Sequence, residues 1–168
     1  VVLADIKKWF RYLMGKRSEL QDLDAKDLLL AKAILDIHRK RTHNEFIMVP
    51  LFQIKQIHRI DREASLRTTR ERADVLTAHR GAIIEKKKIT REFLGEYLPS
   101  VSWIKVVKER DESYIAYEGN GRLVAMQQVF EPGDGIHVEV ELYHFKNRKK
   151  ILRRVNRVRK MNGLLKTV

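Results

Sequence analysis

An α+β fold is predicted for this sequence: a small mixed β-sheet with helices, an N-terminal helical extension and a C-terminal basic helix. Three observations carry that reading. Apolar residues recur at helical spacing before residue 45; β-rich runs mark 46–49, 104–117 and 137–143; and from Lys146 to Val168 helical spacing returns with ten Lys or Arg and no acid.

Taken in order, Ile6, Trp9, Phe10, Leu13 and Met14 give an amphipathic helix over 2–14, closed by Gly15. Asp24 is a good N-cap for a second helix through Leu28, Ala31, Ile34, Leu35 and Ile37, ending on Arg39-Lys40-Arg41, whose charges suit a helix C-terminus. Phe46-Ile47-Met48-Val49 reads as a short strand, with Pro50 tolerated at its end. The charged stretch from Asp61 to Ser100 predicts a helix from Ala64 to Ala78, interrupted at Gly81, and a shorter one capped by Thr90 and stopped before Pro99. Lys86-Lys87-Lys88 is a solvated face.

Ile104–Val107 and Tyr114–Tyr117 flank the polar turn from Lys108 to Ser113, which makes a hairpin. Leu123 to Phe130 is rich in helix formers, and Pro132-Gly133-Asp134-Gly135 forces a turn after it. In the last strand Val138, Val140 and Leu142 alternate with His137, Glu139 and Glu141, which predicts one buried and one wet face. Trp9 and Trp103 are expected as core anchors.

No apolar run approaches the roughly eighteen residues of a membrane span, and no export signal is visible among the first residues. The absence of cysteine excludes disulfides, thiolate metal sites and thiol nucleophiles, and suits an intracellular, cytoplasmic protein. The net charge of +13 is concentrated after residue 145, which leaves only +3 for the rest. On the final helix Ile151, Val155 and Val158 form a narrow apolar stripe, and Arg148, Lys149, Lys150, Arg153, Arg154, Arg157 and Lys160 form a cationic ridge suited to a polyanion, whether DNA, RNA or an acidic protein partner. The six histidines are dispersed; only His137 shares a strand face with Glu139 and Glu141, and a solvated face is the better reading than a metal.

The sharpest local signal is the strand Tyr114–Tyr117 running into Glu118-Gly119-Asn120-Gly121-Arg122 and then into a helix. A helix N-terminus presents unpaired N–H groups and partial positive charge, and glycines let an anion approach the backbone. Phosphate fits that description. Arg122 adds a bidentate fork, and Asn120 tolerates a left-handed conformation or donates its amide N–H.

Met48-Val49-Pro50-Leu51-Phe52-Gln53-Ile54 is similar to the opening "VPL-x-x-I" box of the ParB N-terminal domain. The later hairpin, the Gly-Asn-Gly-Arg turn, the Arg-Leu-Val-Ala-Met helix and the Val-Glu-Val-Glu strand follow the same order as in that family. The chain thus resembles the ParB/sulfiredoxin superfamily over residues 46–145, with 1–45 as the helical extension and 146–168 as the basic helix. The resemblance implies Gly119, Asn120, Gly121 and Arg122 as contacts to the phosphates of a nucleoside triphosphate, ATP or CTP, with Mg²⁺. Glu118 occupies the acidic position before them. In phosphotransferase members an acidic base follows the first box, where Asp61 and Glu63 stand.

The departures exclude some activities. Sulfiredoxins carry a catalytic cysteine where this chain has Asn120, so that repair reaction is out. ParB partition proteins continue into a helix-turn-helix module, for which residues 146–168 are too short. Glu-Gly-Asn-Gly-Arg also resembles the core of Fic-type nucleotidyl transferases, but Tyr114 stands where their catalytic His belongs, and no general base remains for that chemistry. Three readings stay open: a nucleotide-binding domain acting on or near nucleic acid, a phosphotransferase or nuclease of the same fold, and an interaction domain whose turn is structural.

Overall fold

The computed structural model describes residues 25–165; the expected helix over 2–14, with Trp9, and the Asp24 cap lie outside them. The elements are α1 (Ala25–Lys40), β1 (Arg41–Pro50), β2 (Ile54–Gln56), α2 (Glu63–Ala78), α3 (Arg80–Lys86), β3 (Lys88–Ile89) and α4 (Arg91–Tyr97). They continue with β4 (Lys105–Arg110), β5 (Ser113–Glu118), α5 (Asn120–Val129), β6 (His137–Phe145) and α6 (Arg148–Met161). The fold is α+β with a small mixed sheet, ordered β1-β6-β4-β5-β2, and β3 pairs with β6 off this path. β1 runs antiparallel to β6 and β4 antiparallel to β5, whereas β4–β6, β2–β5 and β3–β6 are parallel.

Two apolar cores lie against the sheet. One joins Leu76, Ile83, Leu94, Leu123 and Met126 of α2 to α5 with Val106, Ala116, Val138 and Val140. The other joins Ala33 and Ile37 of α1 to Ile151, Val155 and Val158 of α6 over Val107, Ile115, Tyr117 and Tyr143. Each fully buried aliphatic side chain contributes on the order of 1.5–3 kcal/mol, so the α6 stripe is an integral wall of the second core. That corrects the expected partition into an extension, a domain and a tail: α1 and α6 cover the sheet together, and the 45/46 boundary falls inside β1.

Other differences have local causes. β1 begins at Arg41 because its polar first half is an edge strand paired to β6, which shows no apolar alternation. The break after α2 falls at His79, and Gly81 lies inside α3; the His79 ring packs on Phe93 and Tyr97 at centroid distances of 5.6 and 4.2 Å. Thr90 caps α4 as expected, its hydroxyl accepting from the Phe93 N–H. The hairpin is tighter than predicted, turning through Asp111 and Glu112, the latter at φ 55°. β6 is not wet on one face: Glu141 and Tyr143 are buried along with Val140 and Leu142, since helices cover both sides there. Trp103 is no core anchor, remaining 37% exposed with its ring edge-on to Phe46. Among the described residues no helix is long and apolar enough to cross a membrane.

Candidate functional site at the start of α5

β5 ends at Glu118, and Gly119 turns the chain into α5 at φ 84°. That left-handed conformation needs glycine, and a Cβ there would also meet Ile104 Cγ1 at 2.9 Å. The Leu123 N–H makes the first α-helical bond, to the Gly119 carbonyl at 3.0 Å. The N–H groups of Asn120, Gly121 and Arg122 are therefore the unpaired donors of the first turn.

The side chains of this turn point two ways. Asn120 is buried, its Oδ1 accepting from the Ile57 N–H at 3.0 Å and its Nδ2 donating to the Ala116 carbonyl at 2.9 Å. It ties the end of β2 to β5 from a buried position and its side chain does not line the cleft, which corrects its expected role as a side-chain phosphate contact. Arg122 is 2% exposed, and its Nη2 donates to the Ser102 carbonyl at 2.6 Å. Its Nε is buried without a partner. Burial, then the charge of Arg72, bring its pKa down to about 10 against the opposing pull of Glu118. The expected outward fork is thus an inward-facing cation behind the turn.

Gly121 faces α2. A Cβ at this position would sit 2.7 Å from Arg72 Nη1 and 3.6 Å from Thr69 Oγ1, so only glycine permits this close crossing without displacing Arg72. A cleft of about 370 Å³ opens here, floored by Gly121 and walled by Ser65, Thr68, Thr69 and Arg72. His58 and Ile60, after β2, close its other side. The four α2 residues follow i, i+3, i+4, i+7 spacing and therefore share one helical face. The Thr69 hydroxyl is buried with no hydrogen-bond partner. Arg72 is half-buried, burial lowers its pKa, and no carboxylate among the described residues pairs with it. One guanidinium, a helix N-terminus and an orphaned hydroxyl converge on the cleft, with the buried Arg122 guanidinium behind the turn.

The expected acids stand elsewhere. Glu118 lies beside Lys105, 3.5 Å away, and His38, 3.8 Å away. Burial pushes its carboxyl up, but the His38 ring, the Lys105 charge and Ser102 outweigh that and hold it below the ordinary value. It is a neutralised structural acid and no free base. Asp61 and Glu63 are exposed between Ile60 and Ala64, which line the cleft, without lining it themselves.

On α6, Arg148, Lys149, Lys150, Arg153, Arg154, Arg157 and Lys160 are all exposed, whereas Arg159 is buried with its Nε on the Gln56 carbonyl at 2.9 Å. Arg154 pairs with Asp36 at 2.7 Å. The first turn of α6 is cationic, opposite to what the helix dipole favours, and Lys40 joins Lys146 and Lys150 around a second hollow of about 520 Å³. His137, Glu139 and Glu141 form no ligand set: Arg91 takes Glu139, and Asn44 takes Glu141.

Sequence reading missed Thr69 and Arg72. The available signal was the apolar stripe of α2, Leu76 and Ala73, whose next positions on the same face are Arg72, Thr69 and Ser65. No family model matches the chain, and no curated protein and no solved structure matches it either.

Proposed function

We propose that this protein binds a nucleotide by its phosphates in the cleft between α2 and the first turn of α5, and attaches to nucleic acid through the cationic ridge of α6. The observation that carries the reading is the pair Thr69 and Arg72, a buried hydroxyl without a partner and a half-buried cation without a carboxylate among the described residues, both beside Gly121. A phosphate oxygen satisfies all three at once, accepting from the hydroxyl, the guanidinium and the N–H. Arg122 contributes its field from behind, and the phosphate charge offsets the repulsion between the two guanidiniums. The likeness to the ParB/sulfiredoxin superfamily supports a nucleoside triphosphate, ATP or CTP with Mg²⁺, as the ligand.

The test is thermal stabilisation by ATP, CTP and ADP, with and without Mg²⁺, beside inorganic phosphate. Saturable stabilisation is expected, lost in Arg72→Gln and in Gly121→Ala, whose new methyl displaces the end of Arg72. No shift with any nucleotide would leave the turn purely structural and favour an interaction domain.

Asp61 and Glu63, flanking residues of the cleft wall, favour a second reading as a phosphotransferase or nuclease. Steady product formation that Asp61→Asn or Glu63→Gln abolishes separates it from simple binding. For the ridge, changing Arg153, Arg154 and Arg157 together to Gln is expected to weaken nucleic-acid binding and flatten its salt dependence, with little sequence preference either way. The reading implies an intracellular, cytoplasmic protein.

A further inference from the structure

At the β1 end of the strand order, opposite β2, three side chains with metal-binding chemistry come together. His43 and His144 are register partners across the antiparallel pair, and a register irregularity between Arg41 and His43 precedes them. Bulges of this kind re-aim side chains. Here the two imidazoles lie stacked, with centroids 4.2 Å apart and planes within 8°. Glu45, two residues on and so on the same face as His43, places its Oε1 2.8 Å from His144 Nε2. One ligand atom from each of the three lies within 4.8 Å of the others.

The hydrogen bonding around His43 fixes which nitrogen is free. Thr42 Oγ1 donates its proton to the His144 carbonyl at 3.2 Å, so toward His43 Nδ1, also 3.2 Å away, it can only accept. With the hydroxyl so oriented, His43 takes the tautomer protonated at Nδ1, which leaves the Nε2 lone pair for a ligand. A partner that sets the tautomer from the far side of the ring is the usual support of a metal-binding histidine.

The geometry points to a binding site for zinc, or a similarly borderline divalent transition ion, formed by His43, Glu45 and His144. Two imidazoles and one carboxylate are a recurrent zinc donor set, which leaves the fourth tetrahedral position to water. A tetrahedral ion about 2.1 Å from each ligand sets donor–donor separations of about 3.4 Å, so the 2.8 Å contact between Glu45 and His144 opens slightly and His43 adjusts from within 4.8 Å of the pair. The terminal torsion of histidine is soft and His43 is exposed, so the ring turns onto the ion easily. Nitrogen ligands select against Mg²⁺ and Ca²⁺, which prefer all-oxygen shells. This site is separate from the phosphate cleft, whose chemistry needs no metal at these residues.

All six histidines lie among the described residues, so the assignment can be read on the full chain by variants. Isothermal titration with Zn²⁺ is expected to give one site per chain, and Co²⁺ to give the visible absorption of a tetrahedral complex. His43→Ala, His144→Ala and Glu45→Gln should each weaken Zn²⁺ binding at least about tenfold, and Thr42→Val about tenfold through loss of the tautomer lock. His137→Ala, at the opposite end of β6, should bind as the parent does, and excess Mg²⁺ should not compete. Circular dichroism checks that each variant is folded; His43 is an exposed edge-strand residue, so its variant reports even where another fails. The inference is overturned if the parent chain shows no saturable Zn²⁺ binding, or if His43→Ala binds as tightly as the parent.

Discussion

The two sides of the Gly119–Arg122 turn differ in how their polar side chains are engaged: the inner ones reach partners within the fold, with the Arg122 Nε left over, and the outer ones do not. On the inner side Asn120 spends both amide atoms on Ile57 and Ala116, and Arg122 reaches the Ser102 carbonyl. On the outer side the Thr69 hydroxyl and the Arg72 guanidinium lean over Gly121, the first without a hydrogen-bond partner and the second without a carboxylate among the described residues. Residues that look like ligand contacts because they are polar and sit in a glycine turn are here the fastenings of the turn. In the proposed reading recognition falls to a neighbouring helix, and the turn supplies only its backbone. A satisfied polar group stabilises the fold, and an orphaned one costs the fold and is available to a ligand.

The largest expected effect lies on the inner side. Asn120→Ala deletes two buried hydrogen bonds and leaves the Ile57 N–H and the Ala116 carbonyl to seek partners, at about 1–3 kcal/mol for each stranded group. A loss of about 3 kcal/mol in urea unfolding is expected. A loss under about 0.5 kcal/mol would mean that the ends of β2 and β5 are held together by something else, and the contrast between the two sides would fail.

Next in size is the acid dependence set by Glu118, whose carboxyl is held below its ordinary value of 4.5. A depressed carboxylate contributes stability that is fully present above 4.5 and drains away as the pH falls through the folded value. Glu118→Gln is therefore expected to be less stable than the parent at neutral pH, with the gap closing on acidification below 4.5. Urea midpoints from neutral to acid pH measure it. A gap that stays constant with pH would show that Glu118 acts through packing and not through its charge beside Lys105.

Sequence pattern disclosed most of this architecture, because α1, α2 and α6 each bury a stripe and the hairpin shows as two β-rich runs about a polar turn, both strands being buried in consecutive positions. It failed where pairing, not burial, makes the structure. The polar half of β1 and the two-residue β3 are strands only because β6 offers them a ladder. The turn itself was legible from Gly119 and Gly121. The inward aim of Asn120 and Arg122 was not, since nothing local announces that Ser102 and Ile57 stand behind them. Thr69 and Arg72 were hidden for a different reason: they lie in a highly charged helix about fifty residues upstream of the turn, where polar residues are expected to face water. His43 and His144 were a hundred residues apart and met only through strand register.

The smallest expected change tests the outer side most sharply. Thr69→Val keeps the shape of the side chain and removes a hydroxyl that is buried without a partner. Exchanging an unsatisfied buried polar group for an apolar isostere relieves its desolvation penalty, so the free protein should gain on the order of 1 kcal/mol. If the hydroxyl is there for a phosphate, the same variant should lose stabilisation by nucleotide, so that stability and binding move in opposite directions. A purely structural Thr69 predicts otherwise: removing it would destabilise the free protein or leave it unchanged, and the response to nucleotide would not differ from that of the parent. Urea unfolding with and without nucleotide, run on both proteins, separates these outcomes, because stability gained at the expense of binding is the mark of a group placed for a ligand.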